Sequence, residues 1–411
     1  MKTLLQINVT ANSGSHGKIA EEIGRLAIEK GWRSIIAYGR WANPSQNELI
    51  RIGSDLSVKE HGIESRLFDN HGLSSRLATK RFLKEIDKIT PDIIHIHNIH
   101  GYYLNYKILF EYLSHRDIPV VWTFHDCWPF TGHCAHFDYE KCNLWKNGCH
   151  APCVCKGRYP QSLWMDQSER NWKFKRDFFN SIENMTIVPV SYWLGGLVKQ
   201  SFLGNFPMKV IHNGIDLELF YPMDNTIDLR EKYCLGNKHI LLGVANVWND
   251  RKGLDDFIRL AEKVPEEYQI VLIGLKESQI KKMPCNILGL SRTSSQKELA
   301  MWYTLADIVM NLSYEETFGM TTVEGLACGT PGVVYDRTAS PELADDVTCF
   351  VAEAGNIDDV LIKIKNIGHK TETLSSSCRN RAKEYYDNNK CYEEYIGLYE
   401  KLIKSGSSIS Y

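Results

Sequence analysis

Two glutamates, Glu316 and Glu324, stand eight positions apart in the run SYEETFGMTTVEGLACGTP, residues 313–331. On a regular helix eight residues rise about 12 Å and rotate about 80° past two full turns. The two carboxylates would point the same broad way without touching. Paired glycosidase carboxylates stand about 5–5.5 or 6.5–9.5 Å apart, so this spacing argues against hydrolytic pairing. It suits a ligand laid along a helix start, one end held by Glu316 and the other by Glu324. Between them the amides of Phe318, Gly319 and Met320 would face outward from the first turn, where N–H groups bind phosphate. Gly319 permits close backbone approach. The ligand implied is hydroxyl-rich at both ends and anionic in the middle, the layout of a nucleotide diphosphate sugar.

A leaving nucleotide diphosphate gains negative charge, which a metal or fixed cations and amides must stabilise. Arg251 and Lys252 follow an expected strand, VANVWND, and precede an expected helix. Placed there, both reach a diphosphate. The chain has no Asp-x-Asp pair to hold a metal on the diphosphate, so metal-free stabilisation by Arg251, Lys252 and the Gly319 helix start is expected, with no catalytic cofactor. His125 and Asp126 end the run PVVWTFHD, at the edge of a sheet where ligands bind. A histidine there can donate to a sugar hydroxyl or relay a proton, or serve structure alone. His95, His97 and His100 in DIIHIHNIHG read as structural or acceptor-lining residues rather than metal ligands. The loop Asn12–Lys18 is neither a Walker A loop nor a GxGxxG turn, but a short glycine loop over a helix start can still contact phosphate or acceptor.

Six of the twelve cysteines fall within 29 residues: Cys127, Cys134, Cys142, Cys149, Cys153 and Cys155. Such density points to a metal staple, with zinc on four thiolates or an iron–sulfur cluster. Reduced buried thiols and disulfides are the alternatives. Cys134, Cys142, Cys149 and Cys153 are the first choice of ligands, in a structural role on a loop lining the acceptor side. Trp128, Phe130, Phe137 and Trp145 either stack on a sugar or lipid, or pack in the core.

These residues need elements to position them. The chain has 411 residues, 43% of them apolar, and a formal net charge of −2. That length implies two or three domains, and that charge gives no general attraction to nucleic acid. No apolar run reaches the ~18 residues of a spanning helix, and the opening MKTLLQINVTANSGSHG is too short in apolar core for a signal peptide. A cytoplasmic protein is expected.

Solid apolar runs (LLQIN, SIIAYG, DIIHIHN, PVVWTFHD, TIVPVS, KVIHNG) alternate with helical stretches, among them GKIAEEIGRLAIEKG and residues 74–89 and 104–113. A second series begins at HILLGVAN and continues through QIVLIG, residues 296–305, DIVMNLS and GVVYD. Runs without alternation belong to parallel sheets covered on both faces. The fold class expected is α/β: two Rossmann-like domains facing a central cleft. The expected domains are residues 1–215, with a Cys-rich insertion at about 127–160, and residues 216–389. A terminal helix over 390–411 packs back on the first domain and ends in the tail SGSSIS.

The segment NILGLSRTSSQKELAMWYTLADIVMNLSYEETFGMTTVEGLACGTPGVV resembles the donor-binding segment of the GT-B glycosyltransferases of family 4, retaining enzymes that use nucleotide sugars. Their Glu-x7-Glu pattern is matched by Glu316 and Glu324. The resemblance extends to NGID at 213–216 and to Arg251-Lys252-Gly253, and more weakly over most of the chain. HDCWPFTGHC resembles a subgroup from exopolysaccharide pathways, of the colanic-acid type.

The resemblance implies that Glu316 contacts donor-sugar hydroxyls and that Glu324 holds the ribose. It implies donor contacts for Asn213, Gly214, Gly14 and Ser15, and a place for His125 beside the donor sugar. The activity expected is retaining transfer of a hexose from a UDP- or GDP-sugar to a glycan acceptor, free or linked to polyprenyl diphosphate. Attack on the same face and attack through a covalent intermediate both fit.

Two basic patches, Arg76, Lys80, Arg81 and Lys84, and Arg170, Lys173, Lys175 and Arg176, suit either a solvated face or contact with the inner face of the cytoplasmic membrane. The rival readings are an epimerase or phosphorylase on the same fold, and a metal- or redox-sensing binding protein using the cysteines.

Overall fold

The computed structural model describes residues 1–224 and 226–407. The chain divides into two units, Met1–His212 with Asn389–Tyr411, and Asn213–Asn388. Among the described residues each unit is built on a six-stranded, wholly parallel sheet.

The first sheet holds β1 (Thr3–Ala11), β2 (Arg33–Ala42), β3 (Glu48–Arg51), β4 (Ile93–Ile96), β5 (Val120–Phe124) and β6 (Met185–Pro189) in the order β3-β2-β1-β4-β5-β6. Its connecting helices are α1 (Gly14–Glu29), α2 (Asp55–Phe68), α3 (Arg76–Ile89), α4 (Tyr106–Leu113), α5 (Ser168–Phe179) and α6 (Tyr192–Gln200). The second sheet holds β7 (His239–Val244), β8 (Tyr268–Ile273), β9 (Ile287–Leu290), β10 (Ile308–Asn311), β11 (Gly332–Tyr335) and β12 (Cys349–Ala352), in the order β12-β11-β10-β7-β8-β9. With it go α7 (Ile227–Lys232), α8 (Leu254–Lys263), α9 (Glu277–Ile280), α10 (Gln296–Leu305), α11 (Met320–Ala327), α12 (Ile357–Ile367) and α13 (Glu372–Tyr385). The last helix, α14 (Asn388–Ser407), returns to the first unit.

Counted from each unit's first strand, both sheets follow the 3-2-1-4-5-6 order of a doubly wound fold. The order reverses between β1 and β4, and between β7 and β10. Such switch points leave a crevice at the strands' carboxyl ends, where ligands bind.

Burial explains why these runs became central strands. β5 and β6 are buried at every position, and β1 at all but one. In the first unit Leu4, Ile93, Val121 and Val188, from four strands, meet Ile19, Ile23 and Leu26 of α1 and Tyr392, Tyr395, Ile396 and Tyr399 of α14. Each large apolar side chain so buried contributes roughly 1.5–3 kcal/mol. α14 is therefore part of this core. It is also tied by hydrogen bonds: Tyr399 Oη lies 2.6 Å from His95 Nδ1, and Thr123 Oγ1 donates to Tyr395 Oη at 3.1 Å. In the second unit Leu241, Ile270, Met310 and Val333 pack on Phe257 and Leu260 of α8 and Val360 and Ile364 of α12.

Several sequence expectations are corrected. The first unit ends at His212 rather than 215. Ile215 N–H donates to Tyr386 O at 2.7 Å and Asn388 N–H to Ile215 O at 3.1 Å, which ties Asn213 and Gly214 to the second unit. KVIHNG is not a strand: it runs beside β6 as an isolated bridge at Met208, with Lys209 and Ile211 amides bonded to Ile187 and Pro189 carbonyls. The strand expected over VANVWND stops at Val244. Of the tail SGSSIS, residues 405–407 finish α14, and residues 408–410 lie outside the described residues.

Between β5 and α5 the chain runs through residues 127–167 with only one-turn 3-10 helices at Trp128–Phe130 and Leu144–Lys146. Trp128, Phe130, Phe137 and Trp145 are all buried there, so they pack in the core and do not offer stacking faces. The second basic patch also breaks up. Lys175 is 1% exposed and donates to Trp128 O at 2.7 Å and Thr131 O at 2.9 Å, its ammonium 3.5 Å from the Trp128 ring centroid.

Candidate active site

In the second unit the β7/β10 switch point brings together the loops after both strands. The loop after β7 turns through Asn249, whose side chain accepts from Lys252 N–H at 3.1 Å, into a single 3-10 turn carrying Arg251 and Lys252. Gly253 ends that turn at φ 70°, and a Cβ there would lie 2.1 Å from Leu312 O. Only glycine lets this turn close against the end of β10. Tyr314 N–H then donates to Arg251 O at 2.9 Å, locking the two loops edge to edge.

This register sets the charges. Lys252 Nζ is bonded to Glu316 Oε1, with the two side chains 22% and 17% exposed. Arg251 Nε lies 3.4 Å from Glu315 Oε2, and Glu315 is buried. Glu316 N–H donates to Thr338 Oγ1 at 2.9 Å, and Glu316 O accepts from Ala339 N–H at 3.2 Å, so the Glu316 backbone is fixed from both sides.

Glu316 lies in the loop before α11, not on the helix. The 12 Å rise of a regular helix therefore does not describe its separation from Glu324. Gly319 is the N-cap at φ 103°, a left-handed conformation that glycine adopts without penalty. Met320 opens the helix, and the carboxyl of Glu324, one turn further on, accepts from the buried Tyr303 hydroxyl at 2.6 Å. The Phe318 side chain is buried edge-on to Tyr386, which leaves its backbone as the part fitted to a ligand. Asn213 is buried, and a Cβ on Gly214 would lie 2.3 Å from the Asn388 Cα.

In the first unit the chemistry at the switch point is different. His125 follows β5 and is largely buried. His97, just after β4, makes one contact on each ring nitrogen: Gln6 Oε1 lies 3.0 Å from Nε2, and His125 Nε2 lies 3.2 Å from Nδ1. Gln6 Nε2 donates to Ala20 O at 2.8 Å, so its Oε1 must be an acceptor. His97 therefore carries its proton on Nε2, and His125 donates from its own Nε2. The His16 ring, from the first turn of α1, lies 4.5 Å from that of His125, tilted by 34°.

Burial holds His95, His97 and His125 well below the usual imidazole value, with neighbouring imidazoles adding to the effect. Desolvation pulls His16 down to about 4, against the pull of Asp126. Burial alone would raise Asp126. The His100 imidazole, 2.8 Å away, together with His136 and the Trp128 amide, holds it below the usual carboxylate range. At neutral pH His16, His95, His97 and His125 are therefore uncharged, while Asp126 is a carboxylate. Gly14 and Ser15 are exposed at the start of α1.

The sequence reading missed Glu315, Thr338 and Tyr303 in one unit and Gln6 in the other, and it named His16 only within the Asn12–Lys18 loop. Glu315 adjoins Glu316 and carried that much signal. The others act across long chain separations, which no local spacing reports.

Comparison with known proteins identifies the family and the fold. Residues 17–219 match the family model for Glycosyltransferase Family 4, and residues 238–369 match that for Glycosyl transferases group 1. The chain is 23% identical over 417 residues to WcaC of Escherichia coli, described as a colanic acid biosynthesis glycosyl transferase, covering 97% of this chain and all of that one. Among solved structures, the sucrose-phosphate synthase of Thermosynechococcus elongatus superposes with a TM-score of 0.70 at 14% identity, over 98% of this chain and all of that one. Anabaena HepE, solved with UDP-glucose, superposes at 0.66 and 15% identity, again over 98% of this chain and 100% of that one. These likenesses place the two sheets in the GT-B fold. The two family models together span most of both units, and the chain belongs to the family 4 glycosyltransferases.

Proposed function

We propose that this enzyme moves a hexose from a UDP- or GDP-sugar to a glycan acceptor in the making of a surface or secreted polysaccharide, with retention at the anomeric carbon. The nucleotide sugar is bound by the second unit. Glu316 takes sugar hydroxyls and Glu324 the ribose, while Arg251, Lys252 and the backbone of residues 318–320 take the diphosphate. Asn213 and Gly214 complete the donor seat.

The observation that carries this reading is the Lys252–Glu316 pair at the β7/β10 switch point, with Glu324 fixed on the helix that follows. Lys252 is already held where a diphosphate would sit, and the ligand's charge exchanges with a carboxylate for that cation. As the donor bond breaks, charge grows on the leaving diphosphate, and fixed cations and first-turn amides stabilise it. No cofactor is needed for that step. That HepE was solved with UDP-glucose supports a nucleotide-sugar donor.

The acceptor is taken by the first unit. There His125, neutral and with its tautomer set by His97, acts as a hydrogen-bond partner for a sugar hydroxyl. Gly14 and Ser15 approach phosphate or acceptor from the α1 start. An acceptor carried on polyprenyl diphosphate at the cytoplasmic membrane face fits the exposed Arg76, Lys80, Arg81 and Lys84 of α3 and the 73%-exposed Leu77 among them. No helix among the described residues is long and apolar enough to cross a membrane, so the contact proposed is peripheral.

The test is thermal stability with UDP, GDP, ADP and dTDP, each with and without EDTA, on the wild type and Glu324→Ala. A nucleotide at about 100 times its dissociation constant adds about 2.7 kcal/mol. Stabilisation by UDP or GDP that survives EDTA and is lost in the variant is expected. No shift with any of the four would sink the donor seat.

A further inference from the structure

The six cysteines of residues 127–155 are free thiols, and among the described residues no group of three or more His, Cys, Asp or Glu could hold a metal ion. In the second unit, by contrast, a buried carboxylate adjoins the proposed donor seat. Asp256 lies in the first turn of α8, shortly after Lys252, and is 3% exposed. Its Oδ2 accepts from two hydroxyls, Tyr314 Oη at 2.8 Å and Tyr335 Oη at 2.8 Å. Its Oδ1 is bonded to Arg259 Nη2, which also donates to Gly355 O at 3.3 Å.

In the sequence Asp255 and Asp256 read alike, as two carboxylates in a helix's first turn that favour its dipole. The structure separates them: Asp255 is exposed, while Asp256 is buried against the two tyrosines. The N-cap of α8 is Gly253, so capping does not account for Asp256. A buried carboxylate is costly unless it is paired and hydrogen-bonded. Replacing such a group by a well-packed apolar side chain is often neutral for stability, so stability alone gives little reason for a carboxylate here. What it supplies is direction, because bonds to an ionised acceptor are about twice as strong as neutral ones.

The two hydroxyls come from the two segments that set Glu316. Tyr314 stands just before Glu315 and Glu316, and its N–H donates to Arg251 O at 2.9 Å. Tyr335 ends β11, shortly before Thr338, whose Oγ1 accepts from Glu316 N–H at 2.9 Å. The two tyrosine rings meet edge-on with centroids 5.3 Å apart. Through one oxygen Asp256 thus joins the start of α8, the loop after β10 and the end of β11. Lys252 reaches Glu316 from the turn that leads into α8. A shift of any of these three segments changes how Lys252 meets Glu316.

We propose that Asp256 is a positioning residue for sugar transfer: through Tyr314 and Tyr335 it sets Lys252 and Glu316 in register for the donor's diphosphate and sugar. This rests on the reading of the second unit as the donor seat. Asp256 acts through its neighbours and not on the donor itself.

The test is calorimetric titration of UDP and of GDP into the full chain, with thermal stability followed in parallel. The proteins are the wild type, Asp256→Asn, Tyr314→Phe, Asp255→Asn, Lys252→Ala and the double variant of Asp256→Asn with Lys252→Ala. Asparagine keeps the shape of the side chain and removes its charge. The tighter-binding nucleotide should weaken roughly tenfold in Asp256→Asn and roughly threefold in Tyr314→Phe, with Asp255→Asn like the wild type. On the Lys252→Ala background Asp256→Asn should weaken it by less than about twofold more, because the cation it positions is gone. A carboxylate that served stability alone would lower Tm and leave the affinity of the folded protein unchanged. Wild-type affinity in both Asp256→Asn and Tyr314→Phe therefore overturns the proposal. So does an equal loss in Asp255→Asn, or a loss in Asp256→Asn that is kept in full without Lys252. Tyr314→Phe removes one hydroxyl and fills the same space, so the result does not hang on the folding of the Asp256 variant. No binding of either nucleotide to the wild type overturns the donor seat and this proposal with it, which sets that failure apart from failure of the positioning role alone.

Discussion

Tyr303→Phe tests the donor seat without touching a proposed ligand-binding side chain. Tyr303 is fully buried on α10, and its hydroxyl donates to Glu324 Oε2 at 2.6 Å. Burial pushes the phenol well above its usual range and the adjacent carboxylate adds to this, so the proton stays on tyrosine. A hydrogen bond to a charged partner contributes about 1.5–3 kcal/mol. Glu324 is only half-buried, and water recovers part of the loss, so the lower end applies: roughly 1–1.5 kcal/mol. For a unit of this size that lowers Tm by about 3–6 °C.

The same carboxylate, no longer oriented, should bind the nucleotide more weakly, by up to about tenfold for 1.4 kcal/mol. Calorimetric titration of the stabilising nucleoside diphosphate into wild type, Tyr303→Phe, Glu324→Gln and the double variant separates the two effects. If Tyr303 acts through Glu324, the losses in affinity are not additive, with a coupling of about 1 kcal/mol. A Tyr303→Phe protein that loses stability but binds nucleotide like the wild type would refute the reasoning.

Lys252→Ala should lower kcat about 10²–10³-fold, the usual cost of one stabilising group at a developing anion; a loss confined to KM in steady-state assays would remove Lys252 from the chemical step. Gly253→Ala combines a left-handed φ with a Cβ 2.1 Å from Leu312 O. It should cost at least about 2 kcal/mol, read as a Tm fall of roughly 4–8 °C, and an unchanged Tm would contradict the tight loop contact. The first unit should lose stability in mild acid. His16 and His61, desolvated in the fold, are pulled down to about 4 and about 3, while the unfolded chain takes up protons near 6.5. Stability is therefore whole above about pH 6.5 and falls below it, by up to about 1.4 kcal/mol per pH unit for each histidine still neutral in the fold. A thermal transition of that unit unchanged between pH 7 and 5 would contradict the burial of these rings.

The central strands were legible because a strand covered on both faces is mostly apolar, as LLQIN, PVVWTFHD and HILLGVAN are. The edges were not. β3, β9 and β12 have four residues each, and β3 has no buried position. α2 buries only His61 and Ser65, so its sequence carries no apolar stripe, and it went unread. Glu316 and Glu324 were found by their spacing, but their meaning depends on partners that spacing does not show: Lys252 lies 64 positions from Glu316, and Tyr303 lies 21 from Glu324. The relay from Gln6 through His97 to His125 joins residues 91 and 28 positions apart. Lys175 misled in the other direction. In a run of charged residues it reads as surface, yet two carbonyls and the face of Trp128 hold it inside.

The two sheets share one strand order, so the difference between their switch points comes from side chains alone. In the second unit the loops after β7 and β10 carry a lysine and an arginine, each matched to a glutamate. Those carboxylates hold the two cations in place, and on the proposed reading an arriving diphosphate replaces them at the cation. In the first unit the equivalent loops carry imidazoles that burial keeps uncharged, chained to Gln6, with Asp126 already bonded to His100. On the proposed reading the neutral imidazoles of His97 and His125 at that edge suit hydroxyl groups. On that reading, one topology used twice separates an anion seat from a hydroxyl seat.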